Sequence, residues 1–430
     1  MDTHIELVRA RQILDSRGRP TVEADVKLRG GAFGRASVPS GASTGSAEAH
    51  ELRDGDLNTY AGLGVLRAVR NVNEEIAQAL KGQDALQQRA IDDLLRRLDG
   101  TSQLKKLGAN ATLAVSLAAA RAAANAQDLQ FYQWINTLSG RPALQMPLPM
   151  VNILSGGLHA SRGMDVQDFL AIPARAESIA DAVHIISRVR TAASEEASAR
   201  GLPTLLADEG GISPGLETGR AALEMMVKLI ERAGLRPGED VLIAIDVAAT
   251  SLQKGQDVYH LAREERTVSS AEMISIQEEW VRDFPVVSIE DGLGEEDWLQ
   301  WRHLSDRLRS KVQLVGDDLF TTNPERLTRG IREAVANGVL VKANQNGTLT
   351  GTIDIIAQAK AAGYATVVSA RSGETEDAFM SDLAVGTSAG QIKIGSLRTS
   401  STVAKYNQLL RIEEDSTAKF SGISVLAGRR

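Results

Sequence analysis

Six charged residues in the second half of the chain follow short apolar runs, and their types are suited to metal-assisted acid–base chemistry. Three acids end LIAID, VVSIE and QLVGD, and three cations end VLVK, TVVSAR and GQIK. In chain order the residues are Asp246, Glu290, Asp317, Lys342, Arg371 and Lys393. After a longer first interval, the runs recur every 22 to 29 residues or so, roughly the length of a strand, a helix and two short loops.

The three acids are candidate metal ligands. Carboxylates brought close together repel one another and shift each other's pKa unless a cation lies between them. The chain has no cysteine, so any metal must be held by oxygen or histidine, which favours Mg²⁺. Alternatively, each acid caps the helix that follows its strand. Because Asp246, Glu290 and Asp317 end consecutive units, we favour a shared metal site.

The three cations suggest a base and an anion site. A neighbouring Mg²⁺ and a second lysine both disfavour a protonated lysine, so Lys342 or Lys393 could accept a proton. Alternatively, both lysines only neutralise the acids. Arg371 is followed by Ser372 and Gly373. Together these offer a planar donor fork, a hydroxyl and close backbone approach, which suit a phosphate group.

Three glycine-bearing loops add polar groups: PSGASTG (39–45), SGGLHAS (155–161) and DEGG (208–211). Glycine-rich loops are mostly turns, so each is a weak signal alone. PSGASTG has no following lysine and is not a phosphate-loop motif. His159 is isolated in sequence, and such a histidine is more often structural than catalytic.

The repeated units predict how these residues are positioned. Apolar strands alternating with amphipathic helices indicate a parallel sheet, and at least six units favour a closed βα barrel, whose strands all end at one mouth. The first third instead has alternating strands in residues 3–28 and helices from about 58 to 138, including the alanine-rich segment 110–127. We expect an N-terminal α+β domain, 1–140, and a C-terminal barrel domain, 141–430.

Composition narrows the functional classes. The 430 residues are 43% hydrophobic, enough for a large core, and the formal charge of −7 gives no overall positive field for nucleic acid. No run of about 18 apolar residues is present, and the first residues lack the apolar segment of a secretion signal. We expect a cytoplasmic protein with a small-molecule substrate, no nucleic acid and no membrane span.

Several longer stretches then identify a resemblance. LDSRGRPTVEADV, VPSGASTG, GANATLAVSLAAARAAA, SIEDGL, VGDDLFTTNP and SGETEDAF occur in order, and over nearly its whole length the chain closely resembles the enolase (phosphopyruvate hydratase) family. The resemblance implies an α/β fold, with a (βα)8-type barrel that starts ββαα behind an N-terminal α+β cap. It also implies the glycolytic dehydration of 2-phosphoglycerate to phosphoenolpyruvate with two Mg²⁺ ions per active site. A homodimer is implied, paired through the N-terminal strands and RIEE (411–414), with an octamer left open.

The resemblance also implies a role for each matching residue. The metal ligands are Asp246, Glu290, Asp317 and, for a second ion, Ser40. Lys342 is the general base and Lys393 helps to hold the enediolate, a Lys-plus-Mg²⁺ arrangement already known for the enolase superfamily. Glu209 protonates the leaving hydroxyl group. The remaining matches are Asp168 and His159 as partners of Glu209, and Arg371, Ser372, Ser40 and Ala42 as substrate and phosphate contacts.

Four positions depart from the family pattern on the leaving-group side. Ala370 stands where the family has histidine, Asp168 replaces a glutamate and Ser155 an asparagine, and Arg162 stands where bacterial relatives tend to have a small polar residue. One interpretation is an enolase that tolerates these changes. The alternative is an enolase-like carboxyphosphonoenolpyruvate synthase of phosphinate biosynthesis, which takes a related phosphorylated acid and a second anionic substrate. A third is a non-catalytic paralogue.

Overall fold

A three-stranded antiparallel sheet begins the fold. We describe the protein from a computed structural model covering residues 1–42 and 44–428; Ser43, within the predicted 39–45 loop, lies outside the described residues. The strands are β1 (Ile5–Leu14), β2 (Pro20–Leu28) and β3 (Phe33–Ser37). They pair in the order β1-β2-β3, as the alternation in residues 3–28 predicted for the first two.

Five helices follow this sheet. They are α1 (Leu66–Asn71), α2 (Ala77–Leu80), α3 (Gln88–Asp99), α4 (Ala109–Ala126) and α5 (Phe131–Leu138). A π-helical segment, Val72–Ile76, joins α1 to α2. Helix α4 is buried on nearly all sides, because its alanine side chains let neighbouring backbone approach closely. Strand β3 lies directly against it: a Cβ atom added to Gly34 would overlap the Ala118 carbonyl and the Ala122 nitrogen.

Between residues 139 and 428 the described chain contributes thirteen further strands. They are β4 (Gln145–Met146), β5 (Leu148–Ser155), β6 (Asp168–Ile172), β7 (Leu242–Asp246), β8 (Gln253–Gly255), β9 (Val258–Leu261), β10 (Arg266–Ser269), β11 (Val286–Glu290), β12 (Gln313–Gly316), β13 (Gly338–Val341), β14 (Ala365–Ser369), β15 (Gly390–Lys393) and β16 (Lys419–Phe420). Strands β8 to β10 form a small antiparallel sheet. This sheet is the insertion that lengthens the first interval between units.

Eight of these strands close into a barrel in the order β11-β12-β13-β14-β15-β5-β6-β7. Strand β6 runs antiparallel to both neighbours, and the other barrel pairings are parallel. Two helices follow β6 before β7, so the barrel starts ββαα, as the resemblance implied. The predicted fold class is confirmed. The direction of β6 differs from the uniformly parallel sheet that periodicity alone indicated.

In the part of the chain that the structure describes, nine α-helices surround or cap the barrel. They are α6 (Ile179–Ala199), α7 (Gly219–Arg232), α8 (Ser270–Asp283), α9 (Trp298–Leu308), α10 (Pro324–Glu333), α11 (Ala343–Asn346), α12 (Leu349–Ala361), α13 (Phe379–Gly386) and α14 (Ser400–Asp415). Short sequence signals set several of their starts: Ser269 and Glu272 form a reciprocal capping box at α8, and Asn323 caps α10 ahead of Pro324.

The apolar core has two parts that leave the barrel mouth polar. A small cluster including Leu170, Leu340 and Val367 fills the barrel interior, and a larger one joins the helices to the outside of the strands and to the N-terminal sheet. Charged side chains begin where the strands end. Among the described residues, no helix is both long enough and apolar enough to cross a membrane. The proposed boundary between domains 1–140 and 141–430 stays a prediction.

The close packing of β3 on α4 is testable by substitution. We expect Gly34→Ala to lower the free energy of unfolding by about 1–3 kcal/mol, because the added methyl group overlaps backbone that cannot rotate away. Gly255→Ala is the matched control, since nothing lies within 4 Å of its added Cβ. Calorimetric melting should show a lower midpoint for the first variant only. Equal melting of both variants would contradict the packing.

Candidate active site

At the barrel mouth, two lysines form ion pairs with the three acids that are predicted to bind metal. The Nζ of Lys393, at the end of β15, donates to Oδ2 of Asp246 at 2.8 Å and to Oε2 of Glu290 at 2.7 Å. The Nζ of Lys342, just after β13, donates to Oδ2 of Asp317 at 2.5 Å. All five side chains are largely buried. The predicted acids and lysines therefore meet in one polar cluster.

Burial and mutual attraction set the protonation of this cluster. Burial raises the pKa of Glu290, and the charge of Asp246 raises it further. Burial also opposes ionisation of Asp246 and Asp317, but their lysine partners outweigh it and lower both pKa values. For Lys393, burial is outweighed by Asp246 and Glu290, so its pKa rises. The mouth thus concentrates negative charge that buried cations must balance.

The ion pair with Asp317 sets the protonation of Lys342 in the protein alone. The prediction that a second lysine and a neighbouring metal lower its pKa concerns the metal-bound site. In the protein alone, burial and Arg371 do lower it, but attraction to Asp317 outweighs them and the pKa is raised. Lys342 is therefore a protonated partner of Asp317 until another cation competes for that carboxylate.

The residues at the mouth fit a hard divalent cation. Oε1 of Glu290 is buried and has no hydrogen-bond partner in the described chain. Asp291, Asp317 and Asp318 each bring an oxygen within 4.8 Å of the others. Oxygen donors with surplus negative charge suit Mg²⁺. Sequence reasoning missed Asp291 and Asp318, although both stand beside predicted ligands in the sequence.

A second acidic group lies at the ends of β5 and β6. Nδ1 of His159 is 3.7 Å from Oδ2 of Asp168 and 3.6 Å from Oε1 of Glu209. Burial disfavours the imidazolium ion, but the charges of Glu209 and Asp168 outweigh burial and raise the pKa of His159 to about 9. Burial raises the pKa of Glu209. Asn152 donates to Oε2 of Glu209 at 3.1 Å. The predicted partners of Glu209 therefore surround it.

Two of the departures from the family pattern touch each other. The hydroxyl of Ser155 donates to Oδ1 of Asp168 at 2.5 Å. The backbone N–H of Ser155 donates to the carbonyl of Ile212, and its side chain packs on Gly211, next to the Glu209 loop. Oδ2 of Asp168 is buried without a hydrogen-bond partner in the described chain. Ser155 therefore fixes the shorter carboxylate and leaves its other oxygen facing His159.

Arg371 forms the opposite side of the mouth. Its guanidinium donates to both carboxylate oxygens of Glu48, at 3.0 and 3.3 Å, and to Oδ1 of Asn344 at 3.1 Å. The hydroxyl of Ser372 accepts from the Ala42 backbone N–H at 2.8 Å and from Arg17 at 3.1 Å. These contacts join the barrel to the N-terminal loops. The predicted phosphate residues lie together, but Glu48 now holds the fork of Arg371.

Ser40 is held by charged side chains near the start of the chain. Its hydroxyl lies 2.7 Å from Nη2 of Arg53, 3.3 Å from Nη2 of Arg17 and 3.1 Å from Oε2 of Glu51. Its backbone pairs with Gly373 in a short antiparallel bridge. Within the described chain, no hydrogen bond joins Ser40 to Asp246, Glu290 or Asp317. The role of Ser40 as a ligand of a second ion stays a prediction.

The remaining departures differ in exposure. Ala370 is buried, and its backbone N–H donates to the carbonyl of Lys393 at 2.9 Å, so it continues the ladder between β14 and β15. Arg162 is exposed, with a positive φ of 60°. Its N–H donates to the Gly157 carbonyl at 2.6 Å. Ala370 thus lies inside the mouth and Arg162 on the surface of a loop above it.

Several uncharged residues of the site were missed. Gln167 donates to Oδ2 of Asp246 at 3.0 Å, and Gln345 donates to Oδ1 of Asp317 at 3.0 Å and to Glu48 at 3.2 Å. Adjacency was the available signal, because Gln167 precedes Asp168 and Gln345 follows Lys342 by three residues. Periodicity could not predict Gln167, Gln345 or the loop residue Glu48, because these residues recur at no regular spacing in the sequence.

Both parts of the chain match described families. Residues 143–428 match the family described as "Enolase, C-terminal TIM barrel domain". Residues 5–135 match the one described as "Enolase, N-terminal domain". The two matches cover nearly the whole chain and follow each other in the order that the fold requires.

Divalent-ion binding tests the assignment of the acids. We expect Glu290→Gln to weaken Mg²⁺ or Mn²⁺ binding at least tenfold or so, because it removes one charged oxygen donor from the mouth. Glu224→Gln is the control, since Glu224 is an exposed side chain on α7. Calorimetric titration measures both constants. Unchanged affinity in the Glu290 variant would rule out the predicted site.

Proposed function

The chain belongs to the enolase family of lyases, and on that premise we propose that it dehydrates 2-phosphoglycerate to phosphoenolpyruvate with two Mg²⁺ ions per active site. One observation carries this proposal: Lys342 and Lys393 form buried ion pairs with three acids. Arg371 lies buried on one side of this cluster and Glu209 on the other. A candidate base, a candidate acid and an anion contact close to one another support this proposal.

Arg371 and Ser372 are the proposed contacts of the phosphate group. The guanidinium fork matches phosphate oxygens in geometry and charge. Because Glu48 occupies that fork in the structure, phosphate must share or displace this carboxylate. Ala42, whose N–H donates to Ser372, brings the 39–45 loop to the same group. Phosphate binding would therefore also change the contact of the N-terminal loop with Ser372.

Lys342 is the proposed base that removes the proton beside the substrate carboxylate. Asp246, Glu290 and Asp317 would hold Mg²⁺, which would supply positive charge at that carboxylate and weaken the pairing of Asp317 with Lys342. Lys393, fully buried between two acids, keeps a positive charge directed at the developing anion. In a site closed to water, such fixed charge is strongly effective.

Glu209 is the proposed acid that protonates the departing hydroxyl group. Burial raises its pKa and His159 offsets part of that rise, so this carboxyl group takes up and donates a proton more readily than an exposed glutamate does. Asn152 and His159 orient it from two directions. Asp168 in turn attracts His159. These residues therefore form one connected group around Glu209, opposite the lysines.

The family resemblance also supports a cytoplasmic homodimer. The proposed pairing surface is β1 and β2 together with residues 411–414 at the end of α14. On β1, Arg11 already contacts Glu23 and Asp25 of its own chain. A partner would therefore have to join or exchange these ion pairs.

A coupled assay with isotope exchange tests the reaction. With Mg²⁺, the purified protein should form phosphoenolpyruvate from 2-phosphoglycerate, and Lys342→Ala should slow exchange of the C2 proton with deuterated water roughly 10²–10⁴-fold, because the base is lost. Lys311→Ala, which removes an exposed lysine on the loop before β12, should behave as wild type.

The outcomes of this assay separate the interpretations. Exchange without product would mean that the base side works alone, and would favour the carboxyphosphonoenolpyruvate synthase alternative with its second anionic substrate. Ligand binding with neither exchange nor product would favour a non-catalytic paralogue. Full exchange by the Lys342 variant would exclude this lysine as the base.

The contact between Ser155 and Asp168 generates a second test. We expect Ser155→Ala to slow dehydration roughly tenfold, because Asp168 loses a charge-assisted hydrogen bond, while C2 exchange stays near wild type. Ser369→Ala is the control: among the described residues, the one hydrogen-bond partner of this buried hydroxyl is the adjacent Ala370 carbonyl. If the variant lost both exchange and dehydration, Ser155 would be needed for folding in general and not specifically for the group around Glu209 and Asp168.

A further inference from the structure

A basic cavity lies beside the active site, between the N-terminal loops and the barrel. Its volume is about 510 Å³, enough for a small organic anion. Most of its wall comes from three parts of the chain: residues 17–19, residues 39–42 with 44–53, and residues 103–110. Asn344 and Arg371 close it on the barrel side.

The deep cations of this cavity are already neutralised. Arg371 pairs with Glu48 at 3.0 Å. Arg53 pairs with Glu51 at 2.7 Å. Arg17, which also lines the wall, pairs with Asp15 at 3.0 Å. The floor is therefore a set of ion pairs that contributes little net charge.

The rim carries three basic side chains that remain unpaired. Arg19, His50 and Lys105 all line the cavity and are exposed. No other group in the described chain forms a side-chain hydrogen bond or ion pair with any of them. Their backbones are nevertheless well fixed. The N–H of Arg19 donates to Asp15, that of His50 to Gln103, and that of Lys105 to the Thr101 hydroxyl.

The arrangement is charge-complementary to an anion with several negative groups. Two cations and an imidazole from three separate segments line one space, and no side chain in the described chain pairs with them. Scattered surface lysines and arginines normally face solvent singly, whereas these share a concave wall with residues 40–42 and 44–46.

The cavity is separate from the reactive part of the mouth. Within the described chain, it shares Arg371, Ser40 and Ala42 with the predicted site, while Lys342, Lys393 and Glu209 do not line it. A molecule bound there would contact the phosphate side of the active site and the N-terminal loop without reaching the base or the acid.

We propose that this cavity binds a second small polyanion, carrying phosphate or carboxylate groups, beside Arg371. Arg19, His50 and Lys105 are its recognition residues. The proposal is independent of the proposed reaction, because binding requires neither metal nor turnover. It stands whether the second anion is a co-substrate or an effector.

Calorimetric titration of the metal-free protein with pyrophosphate, and separately with citrate, tests the proposal at about 0.15 M salt, where weak long-range attraction is screened. The test variant combines Arg19→Ala, His50→Leu and Lys105→Ala. The control combines Arg200→Ala, His184→Leu and Lys311→Ala, which removes the same residue types from exposed positions on or after α6 and before β12.

We expect the test variant to bind at least one of the two anions roughly tenfold more weakly or to lose one equivalent, with the control unchanged. Three exposed ion contacts of ordinary strength account for a loss of this size. A stronger effect on pyrophosphate identifies a phosphate ligand, and a stronger effect on citrate a carboxylate ligand. Equal affinity in all three proteins, equal weakening of both variants, or no saturable binding by wild type at millimolar concentration would overturn the proposal.

Discussion

The burial of three carboxylates against two lysines is the interaction on which the rest of the molecule depends. An unpaired ion in such surroundings costs several kcal/mol, so neither side of the pairing is tolerable alone. Lys393 on β15 reaches Glu290 on β11, which is the opposite strand of the barrel ring. The charge cluster therefore exists only when the ring is closed, and the closed ring is polar at this end only because the charges are balanced.

The sequence predicted the charged side of the site well because each residue follows a buried strand. Periodicity did not predict strands β5 and β6, because neither of them is followed by such a charged residue. Strand β5 ends on Ser155 and not on a charge, and β6 begins at Asp168 because it runs in the opposite direction. An apolar run of five residues reads the same in either direction, so only the family resemblance implied the ββαα start.

The sequence could not predict which side chains pair with each other, for a different physical reason. Glu48 lies more than 300 residues from Arg371, and nothing in a loop acid indicates which distant cation it will meet. Asp168 and Ser155 each read separately as a loss relative to the family. Their hydrogen bond shows them as one local rearrangement, in which a hydroxyl on β5 holds a carboxylate whose side chain is one methylene shorter.

The pairing of β5 with β15 joins the first and last strands of the barrel. During synthesis, β5 leaves the ribosome with one edge unsatisfied, and its partner β15 emerges only after more than 230 further residues have been made. Contacts between such distant segments form slowly because a long loop must first close. Nascent chains thus carry an exposed strand edge until β15 emerges, and the charged end of the barrel is completed only then, because Lys393 lies on β15.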